Sequence, residues 1–233
     1  MADRVTHPRP PRFYFGLRSP YSWFALLDLE EHHPGLADRL EWRPWWEPDE
    51  AGEQLLRGIG ARFPYTPASP AKELYIQRDV RRLAAERGLE IVWPEDRSPW
   101  WEVPHLAWFV AEREGLGRAW AERISRTRWL EGRDICDPRT VRRVAAELGL
   151  DPDEVAGAVD DPAVREQGAR SLLDIHRDGV FGVPYFAHGL DTYWGVERLA
   201  AFAASLPDDT AGGQWAGPGT TGPADLGHAG GTG

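Results

Sequence analysis

The stretch Gly179-Val180-Phe181-Gly182-Val183-Pro184-Tyr185-Phe186 restricts the fold more than any other part of the chain. Proline has a fixed φ and no N–H to give to a ladder. At the head of an apolar strand it therefore marks a strand start, an edge or a cis turn. Far upstream, Arg12-Phe13-Tyr14-Phe15-Gly16 reads as a short buried strand. It runs into Ser19-Pro20-Tyr21-Ser22-Trp23, where Ser19 is placed to cap a helix and Pro20 to occupy its first turn.

Between them the pattern is helical. Apolar residues at Trp23, Phe24, Leu26, Leu27 and Leu29 predict a helix over 21–31, ended by His32-His33-Pro34-Gly35. Residues 40–46 alternate as a second strand, parallel to the first, which completes a β-α-β unit. Helices follow over 52–60, 69–88, 99–115, 116–129, 137–148, 151–159 and 161–178. In the helix over 69–88, Leu74, Val80, Leu83 and Ala84 form the expected apolar face. A hairpin of 185–187 and 192–194 and a last helix over 197–205 close the folded part. The expected organisation is an arm at 1–11, one domain from 12–47 and 162–206, an inserted helical domain at 48–161, and a disordered tail at 207–233, which is rich in Gly and Pro.

Composition removes several functions. The formal net charge is −10, with no basic block, which argues against nucleic-acid binding. Cys136 is the single cysteine, so no internal disulfide or Cys-x-x-Cys pair exists. No secretory leader pattern and no membrane-length apolar run are present, and a cytoplasmic location is expected. No cluster with metal-ligand spacing, no P-loop and no dinucleotide fingerprint is found. Lys72 is the only lysine among 27 basic residues.

At these residues the chain resembles a known group. Residues 13–24 are similar to the N-terminus of the kappa-class glutathione transferases and the 2-hydroxychromene-2-carboxylate isomerases. Residues 179–199, ending in Tyr193-Trp194-Gly195-Val196-Glu197-Arg198-Leu199, resemble their C-terminal signature. Trp129-Leu130-Glu131-Gly132-Arg133-Asp134-Ile135-Cys136-Asp137-Pro138 resembles a motif of the isomerases' helical domain. The resemblance spans about residues 13–206. It implies an α/β, thioredoxin-like fold of the DsbA-like superfamily with an inserted all-helical domain, and the pairing of two copies that is frequent in that fold. It also implies an isomerase that uses glutathione, or another small thiol, on an aromatic substrate carrying a carboxylate or enone. A transferase conjugating the thiol and a non-catalytic aromatic-ligand carrier are the alternatives.

The residues themselves support this chemistry in part. Ser19 and Ser22 occupy the spacing of a redox cysteine pair, and serine cannot form a disulfide. What remains at Ser19 is a hydroxyl at the positive end of a helix, suited to hold a thiolate. A cis Val183-Pro184 bond would turn the Val183 N–H and C=O outward, towards a peptide-like thiol. By resemblance, Trp194, Gly195, Val196 and Glu197 meet the γ-glutamyl end of glutathione, with Glu197 where the family has aspartate. Lys72, Tyr75 and Asp79 share a helix face, and the resemblance gives the lysine a substrate carboxylate. Arg57 and Arg62 are further anion candidates. Trp100 and Trp101 are the first of the 12 tryptophans expected to line a pocket for a flat ring. His105 and His176 are read as packed or solvent-facing residues and Cys136 as structural.

Overall fold

The computed structural model describes residues 9–64, 68–97 and 99–207. Most of the expected arm and almost all of the expected tail lie outside them. Strand β1 (Arg12–Phe15) is followed by α1 (Pro20–His32), α2 (Pro34–Arg39) and β2 (Glu41–Pro44). Helices α3 (Glu50–Gly58), α4 (Pro70–Glu86), α5 (Glu102–Arg113), α6 (Gly117–Trp129), α7 (Pro138–Glu147), α8 (Pro152–Gly157) and α9 (Pro162–Arg177) come next. The hairpin β3 (Tyr185–His188) and β4 (Asp191–Trp194) then leads through a 3-10 turn, Val196–Arg198, into α10 (Leu199–Ser205).

The four strands form one mixed sheet in the order β2-β1-β3-β4. β1 pairs parallel with β2, setting Phe13 opposite Trp42, and antiparallel with β3, setting Phe13 opposite Phe186. Phe13 and Phe186 stack at 4.9 Å, and Phe186 stacks in turn on Phe202 of α10. Between β2 and β3 the described chain carries helices only. This is the expected thioredoxin-like sheet with an inserted run of helices.

α1 is apolar on most of its circumference because it is covered on several sides. It packs against α2, α4, α6 and the 3-10 turn, and Pro20, Ser22, Trp23, Phe24, Ala25, Leu26 and Leu29 are buried. α5 is buried from Glu102 to Ala111. The buried side chains of sheet and helices form one continuous cluster. At the far end of the sheet, Asp178, just past α9, accepts from the Tyr14 hydroxyl (2.5 Å) and pairs with Arg12.

Two expectations are corrected and one element is added. α1 ends at His32, as expected, but Pro34 then opens a further short helix, α2, because a proline is compatible with a first helical turn. Leu74 is about half exposed and off the buried face of α4, which is carried by Val80 and Ala84. The last helix begins as a 3-10 turn, not a regular one.

Candidate functional site

The loop from β1 to α1 is held by its own backbone and by Ser22. Ser19 N–H donates to the Gly16 carbonyl (2.9 Å), and Gly16 N–H donates to Ser22 Oγ (3.1 Å). Ser19 is the N-cap of α1: its Oγ accepts from Ser22 N–H at 3.2 Å. The Ser19 hydroxyl proton is therefore free to be donated elsewhere. Gly16 is needed because the loop is approached closely. A Cβ there would stand 3.0 Å from the Trp45 carbonyl and 3.2 Å from Val183 Cγ2.

The Val183-Pro184 bond is cis. The Pro184 carbonyl accepts from Gly195 N–H (3.0 Å), which ties this loop to the end of β4. Val183 N–H and C=O make no hydrogen bond among the described residues.

Ser19 and Val183 line a cleft of ≈390 Å³ whose opposite wall is helical. Lys72 of α4, Trp45, Trp46, Trp93, Trp101, His105, Arg128 and Trp129 also line it. Lys72 follows Ser69, the N-cap of α4, and has no ion pair among the described residues. Thus two helix starts, those of α1 and α4, border one cleft, and both favour negative charge.

The helical wall is built on a buried cation. Arg128 is 3% exposed and donates to both oxygens of Asp96 at 2.8 and 2.7 Å. Its guanidinium lies 5.1 Å from the Trp101 ring and 4.8 Å from the Trp129 ring. Arg18 approaches Trp101 at 5.2 Å, so one indole carries two guanidinium neighbours. Four buried donors of the lining, Trp46 Nε1, Trp93 Nε1, Trp129 Nε1 and Arg128 Nε, have no acceptor among the described residues. Such groups are costly to leave unmade. Below the cleft, Tyr21, which lines it too, donates to Asp79 (2.9 Å); burial and this bond raise the phenol's pKa.

The remaining sequence-predicted residues lie elsewhere. Pro184 is buried behind Val183. Trp194, Gly195, Val196 and Glu197 adjoin the Val-Pro loop but do not line the cleft. Trp194 is 52% exposed and packs on Phe181 at 5.1 Å. The Glu197 carboxylate folds over Gly195, whose φ of +107° and missing Cβ make room for it. Asp79 is turned towards Tyr21, and Tyr75 is 60% exposed beside Arg82, so the expected Lys72-Tyr75-Asp79 face divides. Arg57 is paired with Glu53 and, with Arg62, lines a separate hollow beside Phe63. Trp100 faces an adjoining hollow with Arg18, Asp49 and Glu102, donating to Asp49 at 2.9 Å. His176 lies in the last turn of α9, away from the cleft. Buried Cys136 has its thiol pKa pushed up to about 12, chiefly by desolvation, so it is not poised to react.

Sequence reading did not single out Arg128, Asp96 or Arg18. Arg128 pairs with a residue 32 positions away in a segment without periodicity. Only its place beside Trp129 gave a signal.

Comparison with known proteins places this geometry. A family model described as a DSBA-like thioredoxin domain matches residues 12–207. A 2-hydroxychromene-2-carboxylate isomerase of Sphingobium xenophagum is 26% identical over 198 residues, 84% of this chain and 97% of that protein. Among solved structures, a 2-hydroxychromene-2-carboxylate isomerase aligns with a TM-score of 0.65 at 22% identity, over 84% of this chain and 93% of that one. The cytosolic disulfide reductase DsbM of Pseudomonas aeruginosa, solved with GSH, aligns with a TM-score of 0.55 at 20% identity, over 84% and 97%. No described helix is long and apolar enough to cross a membrane.

Proposed function

Since the chain belongs to the DSBA-like thioredoxin domain family, we propose that it is a thiol-dependent isomerase of a small aromatic substrate that carries a carboxylate or an enone. The observation that carries this reading is that Ser19 and Val183 share one wall of the cleft. A hydroxyl with a free proton stands at a helix start, beside a backbone N–H and C=O that have no partner among the described residues. These are the groups a peptide-like thiol such as glutathione requires: an anion-stabilising end for sulfur, and one backbone donor and one backbone acceptor for its amide. The name of the Sphingobium relative supports the reaction class, and the GSH in the DsbM structure supports the thiol.

A bound thiolate would supply a nucleophile that adds to a conjugated carbon and departs once the former double bond has rotated. The chain's own residues hold and orient. Ser19 donates to sulfur, and the positive end of α1 favours its ionised form. Lys72 pairs with the substrate carboxylate from the α4 side of the cleft. Trp45, Trp46, Trp93 and Trp101 flank the ring and exclude water. Fixing both reactants in a near-attack geometry can remove roughly 7–11 kcal/mol of barrier.

The test is intrinsic tryptophan fluorescence during titration with glutathione, on the parent protein and on Ser19→Ala. Saturation in the millimolar range or below, weakened about tenfold by Ser19→Ala, is the expected result, the loss of one charge-assisted hydrogen bond. No change at any millimolar concentration sinks glutathione as the thiol. Equal binding by both proteins sinks the role of Ser19.

A further inference from the structure

His105 has no part in the reading above, yet it is fully buried and lines the same cleft. It comes from α5, on the helical wall, and its ring stacks on Trp46 with centroids 5.3 Å apart and planes at 18°. Its two nitrogens have different neighbours. Nδ1 is 2.6 Å from the Trp101 carbonyl, and a carbonyl only accepts, so Nδ1 carries the proton. Nε2 is then a bare acceptor, and the Leu17 amide donates to it at 3.0 Å. Burial keeps the ring neutral, with its pKa lowered to about 3, and the Arg128 charge acts in the same direction.

Leu17 is two residues ahead of Ser19, in the loop that leaves β1. The amides of Gly16 and Ser19 are satisfied within the segment 16–22. The amide of Leu17 instead takes an acceptor 88 residues away, on the helical side of the molecule. We infer that His105 is a positioning residue for Ser19: by accepting the Leu17 amide it sets where the loop, and hence the cap of α1, stands relative to the helical wall. The effect on thiol binding rests on the reading of Ser19 given above; the anchoring of Leu17 does not.

The test uses two variants of the full chain. His105→Leu removes the acceptor, whereas His105→Gln keeps an amide acceptor near the position of Nε2. Amide exchange, followed by NMR, is compared at Leu17 and at core amides such as that of Trp120. His105→Leu should speed exchange at Leu17 about tenfold relative to the core, the cost of one buried bond, and His105→Gln should restore most of it. A Leu17 amide as protected in His105→Leu as in the parent overturns the inference, whatever the protein binds. Should His105→Leu fail to fold, imidazole 15N shifts of the parent decide: an Nε2–H tautomer overturns the proposal and an Nδ1–H tautomer, with recovery of exchange in His105→Gln, upholds it.

Glutathione affinity gives the second readout. His105→Leu should weaken binding about tenfold alone and add little in a Ser19→Ala background, because both act through one hydroxyl. Full additivity overturns the positioning role. A thiol that binds equally well with and without Ser19 instead removes the reading of Ser19, and His105 is then judged on the exchange data.

Discussion

The two walls of the cleft are made differently. The wall from the β1–α1 loop and the Val-Pro loop is mostly backbone: its working groups are amides, a carbonyl, a helix start and one short hydroxyl. The helical wall is mostly side chain, with indoles around a guanidinium that Asp96 holds from behind. Backbone groups are fixed by the fold, so the first wall can serve one kind of ligand and little else. Side chains are exchangeable, so the second wall is where relatives with this fold can diverge in substrate. The first wall should therefore tolerate little, and the second should be stable only as a unit.

The largest effect is expected on the helical wall. Arg128→Met takes a buried guanidinium away from two indoles and from the partly exposed Asp96 carboxylate, and should cost about 3 kcal/mol in denaturant unfolding. Replacing Asp96 by leucine as well should recover most of that loss. If the single variant is as stable as the parent, the wall is not built on the ion pair.

Glu102 gives the next effect. Its carboxyl opens α5, is buried, and accepts from Asp49 N–H at 2.5 Å. Desolvation pushes its pKa up to about 7, from the ordinary 4.5, and the nearby Asp49 charge adds to this. A raised folded-state pKa means a contribution that is complete below pH 4.5 and is lost as pH rises through 7. The shift corresponds to on the order of 3 kcal/mol. Glu102→Gln keeps the acceptor for Asp49 and should flatten the fall in melting temperature between those limits. An unchanged slope would place the titration elsewhere.

Ser19 and Ser69 allow a matched comparison, since both cap a helix that borders the cleft. Alanine at either should lower stability by about 1 kcal/mol in thermal unfolding. Only Ser19→Ala should also weaken thiol binding; a similar loss from Ser69→Ala would put the thiol on the α4 side. The smallest stability effect is expected for Lys72→Met. It removes an exposed cation that has no ion pair among the described residues, so unfolding should shift by less than about 0.5 kcal/mol while a substrate carboxylate binds less well. Unchanged affinity for a carboxylate ligand would free Lys72 of that role.

The same division explains what could be read from the sequence. Strand β1, the cap and proline that open α1, and the Val-Pro loop were evident because local rules act there: proline geometry, capping and apolar runs. The helices were evident too, apart from α2, which is six residues long and follows a histidine pair. Lys72 and Trp101 were named and do line the cleft, but Arg57, Tyr75 and Trp100 do not. Their spacing along a helix says which face they share, not which hollow that face meets. Arg128 and Asp96 were not seen because an ion pair across 32 residues leaves no periodic trace, and one arginine among so many is inconspicuous. His105 was noticed and set aside, since nothing local distinguishes a ring that holds a distant amide from one that is only packed.

Ser22 limits where this lineage can go. Restoring a pair of thiols would mean two exchanges, at Ser19 and at Ser22, and they are not equivalent. Ser19 is partly exposed and lines the cleft, so a larger atom there would meet the cleft. Ser22 is buried, and its oxygen receives the Gly16 amide at 3.1 Å. Sulfur is bulkier and a poor acceptor, so cysteine at that place would loosen the very turn that a disulfide needs. The barrier to recovering electron transfer thus stands at the hidden serine, and an attempt to evolve such activity in the laboratory would have to repair the loop before any redox gain could be selected.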